Sequence, residues 1–194
     1  MARPRTTSDE AILKATVRAI GRYGVSGLTL AAAASEAGLS PATLVQRFGS
    51  KRGLLLAVAR RNEADAEELF KRARQKHDSP LAALHGTLTE LAEGVRSPEE
   101  LANHLGFLQL DLTDAEFRQY TAGQARRLHE GFAGLISEAV AAGELAAEAD
   151  PARLARSVQI TYNGTLILWA MAPEGALTDV LRADIDQLLQ AYRP

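Results

Sequence analysis

The side chains with most to offer chemically lie between Leu28 and Lys51, where Thr29, Ser40, Thr43, Gln46, Arg47 and Lys51 follow one another at short intervals. Hydroxyls and an ammonium are donors for phosphate oxygens, while an amide and a guanidinium carry paired donors and acceptors that match adenine and guanine edges. That is the chemistry of recognition, not of bond breaking. The residues an enzyme would need are not arranged for work. His77, His85, His104 and His129 form no i,i+4 pair around a glutamate, so a helical zinc-hydrolase motif is missing. No G-x-S-x-G occurs. The run Gly21, Gly24, Gly27 follows a helix and reads as helix termination, not as a nucleotide cradle. Cysteine is absent, which excludes thiol catalysis and cysteine-bound metals and fits a reducing compartment. The chain reads as a non-enzyme, with no catalytic residue, metal or cofactor expected.

The elements that must position those donors are short helices. One runs from about Thr29, whose hydroxyl can cap it, through an alanine-rich stretch to Ala37. Gly38 accepts the left-handed backbone of a sharp turn, Leu39 tucks inward, and Ser40 with Pro41 supplies an N-cap and first residue for the next helix, Pro41 to Phe48. There Leu44 and Phe48 are four apart and face a core, leaving Ala42, Thr43, Val45, Gln46 and Arg47 over the remaining surface. Small Ala34 lets the two backbones approach. A third helix precedes the pair, over about 8 to 23, with Thr7 and Glu10 spaced as a capping box and Ile12, Leu13, Val17, Ile20 and Tyr23 at helical intervals until Gly24 ends it. A bare helix-glycine-helix suits an ordinary helical hairpin equally well. Three such helices, with the last presented by its N-terminus, suit a recognition helix in a major groove.

The segment from about Ser8 to Val58 resembles the DNA-binding domain of TetR-family transcriptional repressors, most strongly in G-L-S-P-A-T-L and F-G-S-K. A weaker likeness, in A-G-E-L at Ala142 to Leu145 and D-P-A-R-L-A from Asp150, extends to the family's ligand-binding and dimerisation half. The family commonly places an aromatic residue after the leucine of the recognition helix and a histidine two positions on. Val45 and Arg47 stand there instead, so an aromatic hydroxyl that usually touches phosphate is missing, and Arg47 either compensates or reads a guanine. Geometry and family pattern together assign Thr29, Thr43 and Lys51 to phosphates, Ser40, Pro41 and Ala42 to close approach and thymine methyls, and Gln46 and Arg47 to base edges. Arg3 and Arg5 form a basic arm suited to a minor groove.

Charge distribution agrees with this placement. Net charge is only -2, yet residues 1 to 76 hold 14 Lys and Arg against 7 Asp and Glu, whereas residues 77 to 194 hold 8 against 17. The basic half contains the helix pair, and the acidic remainder limits indiscriminate coating of DNA. Part of the surplus, from Arg60 to Lys76, interleaves with glutamates and is a solvated helix face. No signal peptide and no apolar run of membrane-spanning length occur, which predicts a soluble, cytoplasmic protein.

The expected class is all-α, with helices at about 8 to 23, 29 to 37, 41 to 48, 51 to 76, 80 to 95, 99 to 111, 114 to 142, 151 to 172 and 177 to 191, and prolines at the breaks. Residues 1–52 are expected to form the helix-turn-helix domain and 53–194 a helical effector-binding and dimerisation domain. Ile160, Gly164, Ile167 and Met171 form one stripe, and Leu177, Leu181, Ile185, Leu188 and Leu189 another. From periodicity alone these suit burial in the monomer or a four-helix dimer interface equally. The resemblance favours a homodimer on a palindromic double-stranded operator. It also implies a pocket for a small, largely apolar or aromatic effector that releases DNA. His85, Phe107, Gln109, Gln124, Phe132, Tyr162, Asn163 and Trp169 are its candidate lining, although each suits plain packing too. The alternative is a helical adaptor that binds protein and lacks sequence-specific DNA binding.

Overall fold

A computed structural model describes residues 7–194, and the regular elements among them are all helical. In chain order they are α1 (Asp9–Gly27), α2 (Leu30–Ala37), α3 (Pro41–Phe48), α4 (Lys51–Lys76), α5 (Pro80–Ala92), α6 (Pro98–Thr113), α7 (Ala115–Ala141), α8 (Pro151–Met171) and α9 (Leu177–Leu189), with a short 3-10 turn at Gln190–Tyr192. The all-α expectation holds. Proline opens α3, α5 and α8, where its missing N–H would have had no helical acceptor, and Ser40, Ser79 and Asp150 cap those helices by accepting from the first-turn amides.

The described chain forms two compact units. The first runs through Asn62 and adds Glu99–Thr121. Its core is Ile12, Ile20, Leu28, Leu44 and Leu54, each 2% exposed or less, joined by Leu55, Leu56, Val58 and Phe117. Burial of each such side chain is worth about 1.5–3 kcal/mol relative to exposure. Leu54 to Val58 belong to this core, and the two units part within α4.

The second unit comprises Glu63–Pro98 and Ala122–Pro194. Phe70 of α4 meets Phe132 of α7 edge to face, with ring centroids 5.1 Å apart. The α9 stripe of Leu177, Leu181, Ile185 and Leu189 is buried within the subunit, with Leu188 partly covered. The α8 stripe is not: Ile160, Ile167 and Met171 remain exposed, and so does the neighbouring Leu168, which the sequence pattern did not include. Among the described residues, no helix is long and apolar enough to cross a membrane.

Three local expectations are corrected. The N-cap of α1 is Ser8, whose Oγ accepts from the Ala11 amide at 3.2 Å, so Ala11 occupies the position a capping-box glutamate needs. Glu10 pairs with Lys14 instead. Tyr23 is 53% exposed, because the chain breaks at Gly24 (φ 66°) and turns Val25 and Leu28 inward in its place. One further helical turn follows that break and ends where the Leu28 amide donates to the Gly24 carbonyl at 3.0 Å. Finally, α5 stops at Ala92, since Glu93 is extended and Gly94 has φ 94°.

Candidate nucleic-acid interface

The α2–α3 pair is assembled by its caps and its turn. Thr29 Oγ1 accepts from the Ala32 amide at 3.0 Å and starts α2. Gly38 takes φ 66°, a conformation an L side chain resists, and this lets the Leu39 amide reach back to the Ala34 carbonyl at 2.8 Å. Ser40 Oγ then accepts from the Thr43 amide at 3.3 Å and shares a 2.9 Å hydrogen bond with Thr43 Oγ1. Ala33, Ala34 and Leu44 are 0% exposed, which seats α3 firmly on the core. The opposite face of α3 is left to solvent: Pro41, Ala42, Val45 and Gln46 are all exposed.

Gly53 is a residue that sequence reasoning passed over. A Cβ there would stand 2.1 Å from the Phe48 carbonyl oxygen, so the start of α4 presses on the end of α3 in a way only glycine permits. The signal lay in F-G-S-K-x-G, in which the second glycine falls in the first turn of a helix that has no other need of it.

The charged candidates are engaged within the first unit. Arg47 Nη2 lies 2.6 Å from Asp9 Oδ1, and its Nη1 donates to the Thr7 carbonyl at 2.5 Å. Lys51 Nζ donates to the Ser26 carbonyl at 3.0 Å, satisfying an open acceptor near the end of α1. An ammonium has three donors, so this bond leaves Lys51 able to meet a phosphate as well. Glu36 bridges Arg18 and Arg22, each at 2.9 Å, and the hydrogen bond from Arg18 holds its carboxyl below the ordinary glutamate range. Arg52, also unforeseen, joins Asp114 at 2.8 Å and Glu116 at 2.7 Å and lies over the Phe117 ring. Arg3 and Arg5 fall outside the described residues.

The eight effector candidates are divided between the two units. Phe107 and Gln109 belong to the first unit, Phe107 tilted against Phe117 and Gln109 exposed. In the second unit Phe132 is wholly buried against Phe70. Trp169 is also buried and donates its indole N–H to the Gly175 carbonyl at 3.2 Å. Asn163 is exposed and returns a hydrogen bond to the Gln159 carbonyl, while Gln124 is half-buried. His85 Nε2 is 3.2 Å from Asp186, yet burial outweighs that carboxylate and pushes the imidazole down. Tyr162 is half-buried, and desolvation pushes its phenol up. A cleft of about 360 Å³ in the second unit is lined by Lys76, His77, Thr89, Glu93 and Arg182, and of the eight it takes in His85.

Comparison with known proteins matches both halves of the chain. Residues 12–58 fit the profile of "Bacterial regulatory proteins, tetR family", and residues 80–194 that of "BetI-type transcriptional repressor, C-terminal". Over 182 residues the chain is 28% identical to the HTH-type transcriptional regulator BetI of Brucella melitensis, covering 89% of this chain and 86% of that protein. It is 26% identical over 186 residues to the HTH-type transcriptional regulator TtgR of Pseudomonas putida, at 88% and 86% coverage. A crystal structure of a TetR-family regulator from a Rhodococcus species superimposes with a TM-score of 0.71 at 25% identity, covering 96% of this chain and 98% of that one.

Proposed function

This chain belongs to the TetR family of DNA-binding transcriptional regulators, whose members are not enzymes, and from that premise we propose a homodimeric repressor that binds a palindromic operator and is released by a small effector. The observation that carries the DNA-binding half is the outward face of α3, where Pro41, Ala42, Val45 and Gln46 are exposed while Leu44 is completely buried. A helix held so that one row anchors it and the other row meets solvent is what a major groove accepts. Thr29, Thr43 and Lys51 flank that face with phosphate donors, and the first-turn amides of α2 and α3 add to them.

The exposed α8 stripe supports association. Ile160 and Leu168 are 61% and 67% exposed, an apolar line continued by Ile167 and Met171 and flattened at Gly164. Two copies of α8 packed across a two-fold axis, with the outer face of α9, make a four-helix interface. The two recognition helices of such a dimer fall on successive major grooves about 34–36 Å apart, and the operator is then palindromic.

Release follows from reciprocal coupling. An effector that prefers a dimer with wrongly spaced recognition helices is itself weakened by DNA, and a coupling of about 1–3 kcal/mol changes affinity about 5- to 150-fold. The second unit is the proposed effector-binding half, with Tyr162 as a hydrogen-bonding side chain and α4 as the lever. Selection of bound duplexes from random DNA, repeated with candidate small molecules, tests the whole reading. A two-fold symmetric consensus lost on addition of a ligand is the expected result. A protein that prefers no duplex, or whose binding is insensitive to salt, is instead an adaptor of the kind the sequence left open.

A further inference from the structure

We propose that this chain reads its half-site through thymine methyl groups and adenine edges, by way of Ala42, Val45 and Gln46, and not through guanine. The inference rests on the DNA-binding reading above and concerns what that surface selects.

The first ground is where the cation points. Arg47 is the basic residue of α3, and its guanidinium is turned to the start of α1. One terminal nitrogen is 2.6 Å from Asp9 and the other donates to the Thr7 carbonyl, with 25% of the side chain exposed. A guanine contact needs two parallel N–H groups directed together at O6 and N7. In Arg47 one terminal nitrogen donates to the Thr7 carbonyl and the other is paired with Asp9, so the fork is directed toward α1.

The second ground is what the outward face offers in its place. Val45 is 48% exposed, a large apolar side chain left in water beside the exposed methyl of Ala42. In the floor of the major groove the apolar feature is the C5 methyl of thymine. Gln46 is exposed and makes no hydrogen bond among the described residues, so its amide keeps both a donor and an acceptor for the N7 and N6 positions of adenine. The hydroxyls of Ser40 and Thr43 are bonded to each other, and Ser40 also accepts from the Thr43 amide, which leaves the pair a single O–H to donate, fewer than the paired groups a base edge calls for.

Uracil scanning tests this directly, because replacing thymine by uracil removes one methyl and nothing else. Duplexes recovered by selection are substituted one thymine at a time and titrated by fluorescence anisotropy. Affinity is expected to fall about fourfold at each thymine that Val45 or Ala42 touches. In Val45→Ala the uracil penalty disappears at one such position, and in Gln46→Ala the preference for adenine is lost at one base pair. In Arg47→Ala the ranking of the four bases is unchanged at every position. Both Val45 and Gln46 are exposed, so unchanged melting of their variants confirms that the readout concerns DNA. Operator binding that ignores uracil everywhere overturns the proposal, as does a guanine preference that vanishes in Arg47→Ala. Absence of any preferred duplex overturns the underlying DNA-binding reading as well, and is distinguished by appearing before any uracil is introduced.

Discussion

Gly53 lies so close to Phe48 that a Cβ on the one would stand 2.1 Å from the carbonyl oxygen of the other. The contact joins the first turn of α4 to the last residue of α3, and therefore sets how the recognition face is held. Gly53→Ala gains up to about 1 kcal/mol of helix propensity. It must also displace a backbone oxygen, an overpacking cost of about 1–3 kcal/mol. The expected outcome is a net loss of stability in urea titration, together with weaker operator binding. A variant that melts higher than the parent and binds equally well would show that α3 tolerates the shift.

Glu36 ties α2 to α1 through Arg18 and Arg22, and its carboxyl is held below the ordinary value of 4.5. A carboxylate with a lowered folded-state pKa contributes stability that is complete above the unfolded value and is lost as pH falls through the folded one. These are partly exposed pairs, so Glu36→Gln should cost about 1 kcal/mol at neutral pH. The gap between variant and parent should close as pH drops below 4.5. Denaturant midpoints measured across that range check it, and a gap independent of pH refutes the electrostatic account.

His104 of α6 packs over Gly21 of α1, where a Cβ would lie 3.1 Å from its Nε2, and neighbouring Asn103 donates to the Gly21 carbonyl at 2.8 Å. Burial pushes the imidazole below 6.5, against a smaller opposing effect of Glu100. The unfolded chain then takes up a proton more readily than the folded one. Stability is complete above 6.5 and declines as pH falls from there toward the folded pKa. His104→Gln should flatten that decline, and melting temperatures at about pH 7 and about pH 5.5 measure it. An equally steep decline in the variant would assign the effect to another group.

Leu168 is 67% exposed in the middle of the apolar line on α8. Leu168→Lys should leave the fold of the single chain intact while weakening self-association by about 2 kcal/mol or more, roughly thirtyfold, as at a central interface anchor. Sedimentation velocity over a concentration series gives the answer. A variant that remains as dimeric as the parent places the two-fold contact elsewhere.

How much was legible beforehand varies with the range of the interaction. The limits of α3 and the start of α4 were readable to the residue, because Ser40-Pro41, Gly49 and Ser50 act within one turn of where they stand. The cap of α1 slipped by one position because Thr7 and Ser8 both have a capping hydroxyl, and only the backbone angles choose between them. Tyr23 fitted the period of its helix as well as Ile20 did. What exposed it was the break at Gly24, which local pattern alone does not rotate in space.

The same division runs through the candidate sites. Arg47 and Lys51 were legible as cations beside a groove-reading helix. Their attachment to Asp9 and to the Ser26 carbonyl joins residues distant in the chain, so no spacing rule announces it. The effector candidates are polar or aromatic residues on otherwise apolar helices. Folding divides them between two units and uses Phe132 and Trp169 in packing.

By itself the sequence determined the helices, the turn between α2 and α3, and the family, since capping, glycine turns and apolar period are short-range physics written in consecutive residues. Tertiary structure alone decided which apolar stripe is spent inside the subunit and which is left outside, burying that of α9 and exposing that of α8. Periodicity marks a face as apolar without saying what will cover it, and the cover comes from residues far away in the chain.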